Sequence, residues 1–125
     1  AGVYHFIRRF HFEQIAKLCQ RLESIPEGDG TMLDNTVIVY LSDGAEAHHS
    51  RTWEWPFIMI GDAGGKLKAG RYVDYPGYGM LGHRTTANLY TTFLNLAGNN
   101  AERFGMADPN LKDLDQTGPL TELLA

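Results

Sequence analysis

Four side chains able to hold a divalent cation, Asp43, Glu46, His48 and His49, fall within seven residues of this chain. Carboxylate oxygen and imidazole nitrogen are the donors that zinc and related ions take. Alternation along an extended backbone limits how many can converge. In such a segment His48 and His49 point to opposite faces, so one could ligate a metal while the other lines the substrate side or supports a ligand. Arg51 could hold an oxyanion with its planar fork of donors; the plainer reading is a solvated arginine. Glu46 and His83 are the other candidates for substrate contact, and for His83 the alternative is a part in capping the helix it precedes. The residues by themselves leave three readings open: a metal site, an anion site, or a polar surface loop that carries two histidines.

These groups need a scaffold. Asp43 follows Val37-Ile38-Val39-Tyr40-Leu41, a run that is β-branched, aromatic and apolar on both faces and so predicts a buried central strand. In open α/β sheets ligands bind beyond the carboxyl ends of strands, which is where Asp43 stands. A second strand is expected over 57–60, introduced by Pro56. The 15 residues between Leu41 and Phe57 hold all the candidates except His83, together with Trp53 and Trp55, which are expected to pack the loop onto the sheet. A loop of that length in a small domain usually has a function.

On either side the pattern turns helical. Ile15, Leu18, Cys19, Leu22 and Ile25 recur at steps of three and four on a helix running from Val3 to about Ile25, ended by Pro26, Gly28 and Gly30. Thr85 or Thr86 is the expected N-cap of a second helix carrying Leu89, Phe93 and Leu96, with Gly98 as its C′ residue. Between them, Gly61 to Gly82 holds seven of the 14 glycines, with Arg71-Tyr72-Val73 as a short strand. Gly61-Asp62-Ala63-Gly64-Gly65-Lys66 fails as a phosphate loop, because Leu67 replaces the required Ser or Thr and no helix opens there. Leu120, Leu123 and Leu124 suggest a last helical turn tucked onto the body.

The expected architecture is one α/β domain over 1–125, a partial mixed sheet covered by helices. Two or three strands are few for such a sheet. The remaining strands are expected from chain missing from this sequence or from a second copy, which makes a homo-oligomer the expected state. The chain of 125 residues and 14.0 kDa is 43% apolar, with 11 basic against 15 acidic side chains. That composition excludes disorder, and the absence of a basic tract argues against nucleic acid. No apolar run approaches the roughly 20 residues of a membrane span. The single Cys19 has no internal partner and does not decide the redox compartment.

The segment Leu33 to Gly44, an Asp-Asn-Thr turn, an apolar run and Ser42-Asp43-Gly44, resembles a segment of the alkaline phosphatase and sulfatase superfamily in which an Asp-His pair ligates metal after a central strand. Trp55-Pro56-Phe57-Ile58-Met59-Ile60-Gly61 is similar to the strand that follows there. Arg84 to Gly98 is similar to a helix near the end of the sulfatase catalytic domain, and the order agrees over about Phe12 to Gly105. The chain also resembles uncharacterised sulfatase-like bacterial proteins that often carry a twin-arginine export signal, in which a His-His pair precedes a glycine-rich stretch, as His48-His49 precede Gly61 to Gly70 here.

The resemblance implies the C-terminal portion of an alkaline phosphatase-like fold in an exported, periplasmic protein acting on a small-molecule phosphate or sulfate ester. Zinc, manganese, calcium or magnesium is the implied cofactor. Asp43 matches a ligand aspartate, and His48 or His49 a ligand histidine; Gly44 stands where the adjacent ligand histidine belongs. The nucleophile and the other carboxylate ligands have no counterpart in this chain, so no substantial hydrolysis is expected of it alone. A degenerate binding or assembly module of the same fold is the alternative.

Overall fold

The computed structural model describes residues 2–44 and 54–125. From Val3 to Glu23 neither glycine nor proline interrupts the chain, and helix α1 spans Gly2–Glu23. Arg9 pairs one turn on with Glu13 at 2.9 Å, an exposed pair that adds only a few tenths of a kcal/mol. The helix ends where Ser24 Oγ donates to Arg21 O at 2.7 Å and Pro26 brings no N–H. No helix among the described residues is long and apolar enough to cross a membrane.

The glycines after Pro26 do more than stop α1. Strand β1 (Pro26–Glu27) pairs antiparallel with β2 (Gly30–Thr31), a hairpin absent from the expected element order. A tight turn follows, in which Asp34 Oδ2 accepts from Thr31 N at 2.7 Å and from Thr31 Oγ1 at 2.8 Å. These bonds, the backbone one foremost, hold the Asp34 carboxyl below its ordinary range.

Strand β3 (Ile38–Leu41) runs antiparallel to β4 (Phe57–Ile60), with Ile38 opposite Ile60 and Leu41 opposite Phe57. Val37, Phe57 and Met59 pack on a core of Leu67, Leu89, Leu96, Leu120 and Leu123. Tyr40 points the other way, 5.0 Å between ring centroids from Phe12 and with its hydroxyl 3.1 Å from His11 Nδ1 on α1. The buried central strand is corrected on this point. Among the described residues β3 has β4 as its one neighbour, its residues are half-buried or exposed, and both two-stranded sheets are antiparallel, so no mixed sheet forms. The physical reason is cover: the core packs closely on one face, whereas α1 meets the other around Tyr40 and leaves Ile58 43% exposed.

Helix α2 (Thr86–Leu96) is built as expected. Thr85 is the N-cap in a reciprocal capping box with Asn88. At the other end Gly98 has φ +85°, and the N–H groups of Gly98 and Asn99 donate to Asn95 O and Leu94 O, the paired bonds of a Schellman motif. Leu89 and Leu96 are buried, with Phe93 packed beside them. The tail closes over this face: Thr121–Leu123 form one 3₁₀ turn, Leu120 N donates to Thr92 Oγ1 at 2.8 Å, and Lys68 N donates to Leu123 O at 2.8 Å. The strand expected at Arg71-Tyr72-Val73 is not formed. Tyr72 is exposed, and Arg71 instead turns its guanidinium to Lys68 O and Glu122 O.

Candidate functional site

The antiparallel pairing of β3 and β4 places residues 41 and 57 side by side, so the loop between them begins and ends at one point. Trp55 reinforces that neck. Its Nε1 donates to Ser42 O at 2.9 Å across the loop base, and its ring lies 5.8 Å from Phe57. Packing against the sheet was the sequence expectation for Trp55; the hydrogen bond adds a latch. Gly44 N donates to Ser42 Oγ at 3.3 Å, and Ser42 Oγ approaches Asp43 Oδ1 at 3.4 Å. Gly44 is buried while Asp43 is exposed. Asp43 therefore leaves the end of β3 on a pinned turn with its carboxylate toward solvent.

Glu46, His48, His49, Arg51 and Trp53 lie outside the described residues. Among the described residues no group of three His, Cys, Asp or Glu side chains could hold a metal ion. His83 is engaged locally: its Nδ1 is 2.8 Å from Pro76 O, and its ring meets Tyr78 edge-on at 5.7 Å. That arrangement stiffens the turn before α2 and is neither a cap nor a contact with Asp43. Asp43 does not stand at a crevice between parallel strands: in the antiparallel pair the carboxyl end of β3 lies beside the amino end of β4, and the described residues form no parallel pair.

The glycine-rich segment after β4 is a turn, as expected: Gly65 N donates to Asp62 Oδ1 at 3.1 Å. Lys66 reaches across a surface depression of about 500 Å³ to donate to Leu96 O at 3.3 Å, a cation at the carbonyl end of α2.

One polar cluster escaped the sequence reading. Tyr75 Oη donates to Glu122 Oε1 at 2.7 Å, with Arg71 on the Glu122 carbonyl and Arg84 Nη2 donating to Pro119 O at 3.3 Å. Arg84 Nε is buried without a hydrogen-bond partner. Burial works to raise the Glu122 carboxyl, but the Tyr75 hydroxyl, the backbone and the two guanidiniums outweigh it and hold the group below its ordinary value. Tyr75 and Glu122 lie 47 positions apart in sequence and no local motif joins them; the one hint is the tail's leucines, which must dock somewhere. The cluster clamps the tail.

Desolvation first, then the bond to Glu122, pushes the Tyr75 hydroxyl well above its ordinary value. Once the pH exceeds about 10 the unfolded chain releases this proton while the folded one keeps it. Stability present at lower pH must therefore fall as the pH climbs beyond 10. Urea midpoints between pH 9 and 11.5 should drop in the wild type and drop less in Tyr75→Phe; equal slopes would contradict the clamp.

Comparison with protein-family models, with curated proteins and with solved structures yields no match to this chain.

Proposed function

We propose that this chain supplies part of a divalent-metal site in a phosphate- or sulfate-ester hydrolase-like protein, with Asp43, His48 and His49 as ligands. The supporting observation is the neck: Asp43 stands solvent-facing on a turn fixed by Trp55 and by the β3–β4 ladder, at the root of the loop that carries the histidines. A carboxylate held at a loop root can meet imidazoles from that loop with little ordering cost, because the closure entropy is already met by the ladder. Glu46, Arg51 and His83 are the proposed substrate contacts. For His83 this requires it to leave Pro76 O. The motif order that resembles alkaline phosphatases and sulfatases favours the same chemistry, as does the need of such esters for cations that neutralise developing charge. A nucleophile and further ligands must come from outside these residues, so ester turnover by this chain alone should stay at background.

Calorimetric titration with zinc and with manganese tests the reading. Binding in the micromolar to sub-millimolar range is expected, weakened about tenfold or more by Asp43→Ala, His48→Ala or His49→Ala, on the order expected when a ligand or its support is lost. No heat of binding at near-millimolar metal, or binding indifferent to all three substitutions, would remove the proposal.

A further inference from the structure

An aspartate can cyclise onto its own backbone where the next nitrogen is unshielded by a side chain. Asp precedes Gly twice in this sequence, at Asp29-Gly30 and Asp43-Gly44, and Asn never does. The fold sets the two places apart. Gly30 is held in the β1–β2 ladder opposite Glu27, and Asp34 Oδ2 lies 2.6 Å from where a Gly30 Cβ would stand. A carboxylate that close, itself held by Thr31 N, opposes the negative charge that an attacking amide nitrogen gathers. Gly44 lies beyond the last pair of the β3–β4 ladder, Leu41 with Phe57. It is buried, and its N–H meets a side-chain hydroxyl: Gly44 N donates to Ser42 Oγ at 3.3 Å, and the same oxygen stands 3.4 Å from Asp43 Oδ1. One hydroxyl thus touches both groups that would react, accepting from the nitrogen and donating to the carboxyl.

We propose that Asp43 is a site of spontaneous conversion to isoaspartate, with the Ser42 hydroxyl as its proton relay. Gly44 N bonds to Asp43 Cγ, the carboxyl reacting in its acid form. The N–H proton passes to Ser42 Oγ while the Ser42 proton passes to Oδ1, and one carboxyl oxygen leaves as water to give a succinimide. Nucleophile and electrophile sit on adjacent residues, so no encounter has to be arranged. Water then adds back. Addition at Cγ breaks the Cγ–N bond and restores Asp43; addition at the backbone carbonyl breaks the original peptide bond and leaves isoaspartate. Water is lost and regained, no redox partner takes part, and the mass of the chain is unchanged. The main chain gains one carbon and the carboxylate moves from Cβ to Cα, on the turn whose Ser42 O is held by Trp55. The inference does not depend on a metal at Asp43.

Peptide mapping of the full chain, kept in metal-free buffer near neutral pH for several weeks, is the test. One tryptic peptide, residues 22–51, carries both Asp-Gly pairs, and electron-transfer fragmentation distinguishes aspartate from isoaspartate at each. Isoaspartate at Asp43 should exceed that at Asp29 by about tenfold or more, and the excess should shrink to a few-fold or less when the chain is aged in urea, where the fold no longer separates the two places. Ser42→Ala should slow the reaction at Asp43 by about tenfold, short of the effect of an evolved general acid–base group, and Ser42→Thr should keep the wild-type rate. The comparison of folded with urea-unfolded wild type keeps the test decisive if Ser42→Ala misfolds by circular dichroism. Equal isoaspartate at the two places in the folded chain overturns the proposal. An unchanged or faster reaction in folded Ser42→Ala overturns it as well, because the hydroxyl then restrains the Gly44 nitrogen or plays no part.

Discussion

Asn88→Ala should lose about 3–4 kcal/mol of folding stability, a large share of the 5–15 kcal/mol available to a domain. The side chain is 0% exposed and uses its whole hydrogen-bonding capacity. Its Oδ1 accepts from Thr85 N at 2.9 Å and Thr85 Oγ1 at 2.8 Å, and its Nδ2 donates to Thr117 O at 2.8 Å and Gly118 O at 3.0 Å. One residue thus caps α2 and ties the tail to it. Truncation removes the capping box, worth about 1 kcal/mol, and strands two carbonyls at about 1 kcal/mol or more each. Asn88→Asp sharpens the test. It keeps the acceptor toward Thr85 but turns a second oxygen toward the Thr117 and Gly118 carbonyls. Burial raises the folded-state pKa of that carboxyl above its unfolded value, so the variant should be worse than Asn88→Ala at pH 7 and recover as the pH falls toward 4. Urea denaturation at the two pH values measures both effects. A loss under about 1 kcal/mol for Asn88→Ala would mean that the tail is held by its leucines alone.

That dependence explains which parts of the fold were readable in advance. Helix α2 was, cap to cap, because Thr85, the apolar residues from Leu89 to Leu96 and Gly98 are local signals that all specify one element. The β1–β2 hairpin was not, since Pro26, Gly28 and Gly30 mark a stop with the same residues that mark a turn. The run from Val37 to Leu41 does form the strand its residues predict, but half-buried or exposed rather than buried. Apolar residues on both faces record a demand for cover, not its delivery, and the cover is incomplete on the Tyr40 side. The pinning of Asp43 is half legible: the sequence predicts packing for Trp55, while its bond to Ser42 depends on an antiparallel register that sequence does not specify. Similarly, the spacing of Ile15, Cys19 and Leu22 marks α1 as a helix in sequence, and Val3, Phe6, Ile7 and Phe10 repeat that spacing on another side, where they are exposed.

The other large effect is expected at Gly61, where β4 ends against the turn that leads into β3. Its φ is +97°, and a Cβ built there would stand 2.1 Å from Thr36 O. The turn cannot retreat easily. Thr36 N donates to Leu33 O at 3.1 Å, Thr36 Oγ1 donates to Met32 O at 2.6 Å, and Asp34 O receives Gly64 N at 2.7 Å. Gly61→Ala must therefore move β4 rather than the turn, prising Ile60 from Ile38 at that end of the ladder. Backbone strain of about 1–2 kcal/mol and an overpacking cost of about 1–3 kcal/mol give an expected loss of about 3–4 kcal/mol. Gly65→Ala separates the two causes. Gly65 also has positive φ, +76°, but a Cβ there meets nothing within 4 Å, so only the strain of about 1–2 kcal/mol remains. Denaturant midpoints of the two variants should differ accordingly. If they lose equal stability, the close approach to Thr36 is not part of the fold in solution. If Gly61→Ala is the worse, amide exchange should quicken along the whole β3–β4 ladder, through to the Leu41–Phe57 pair at the neck of the Asp43 loop.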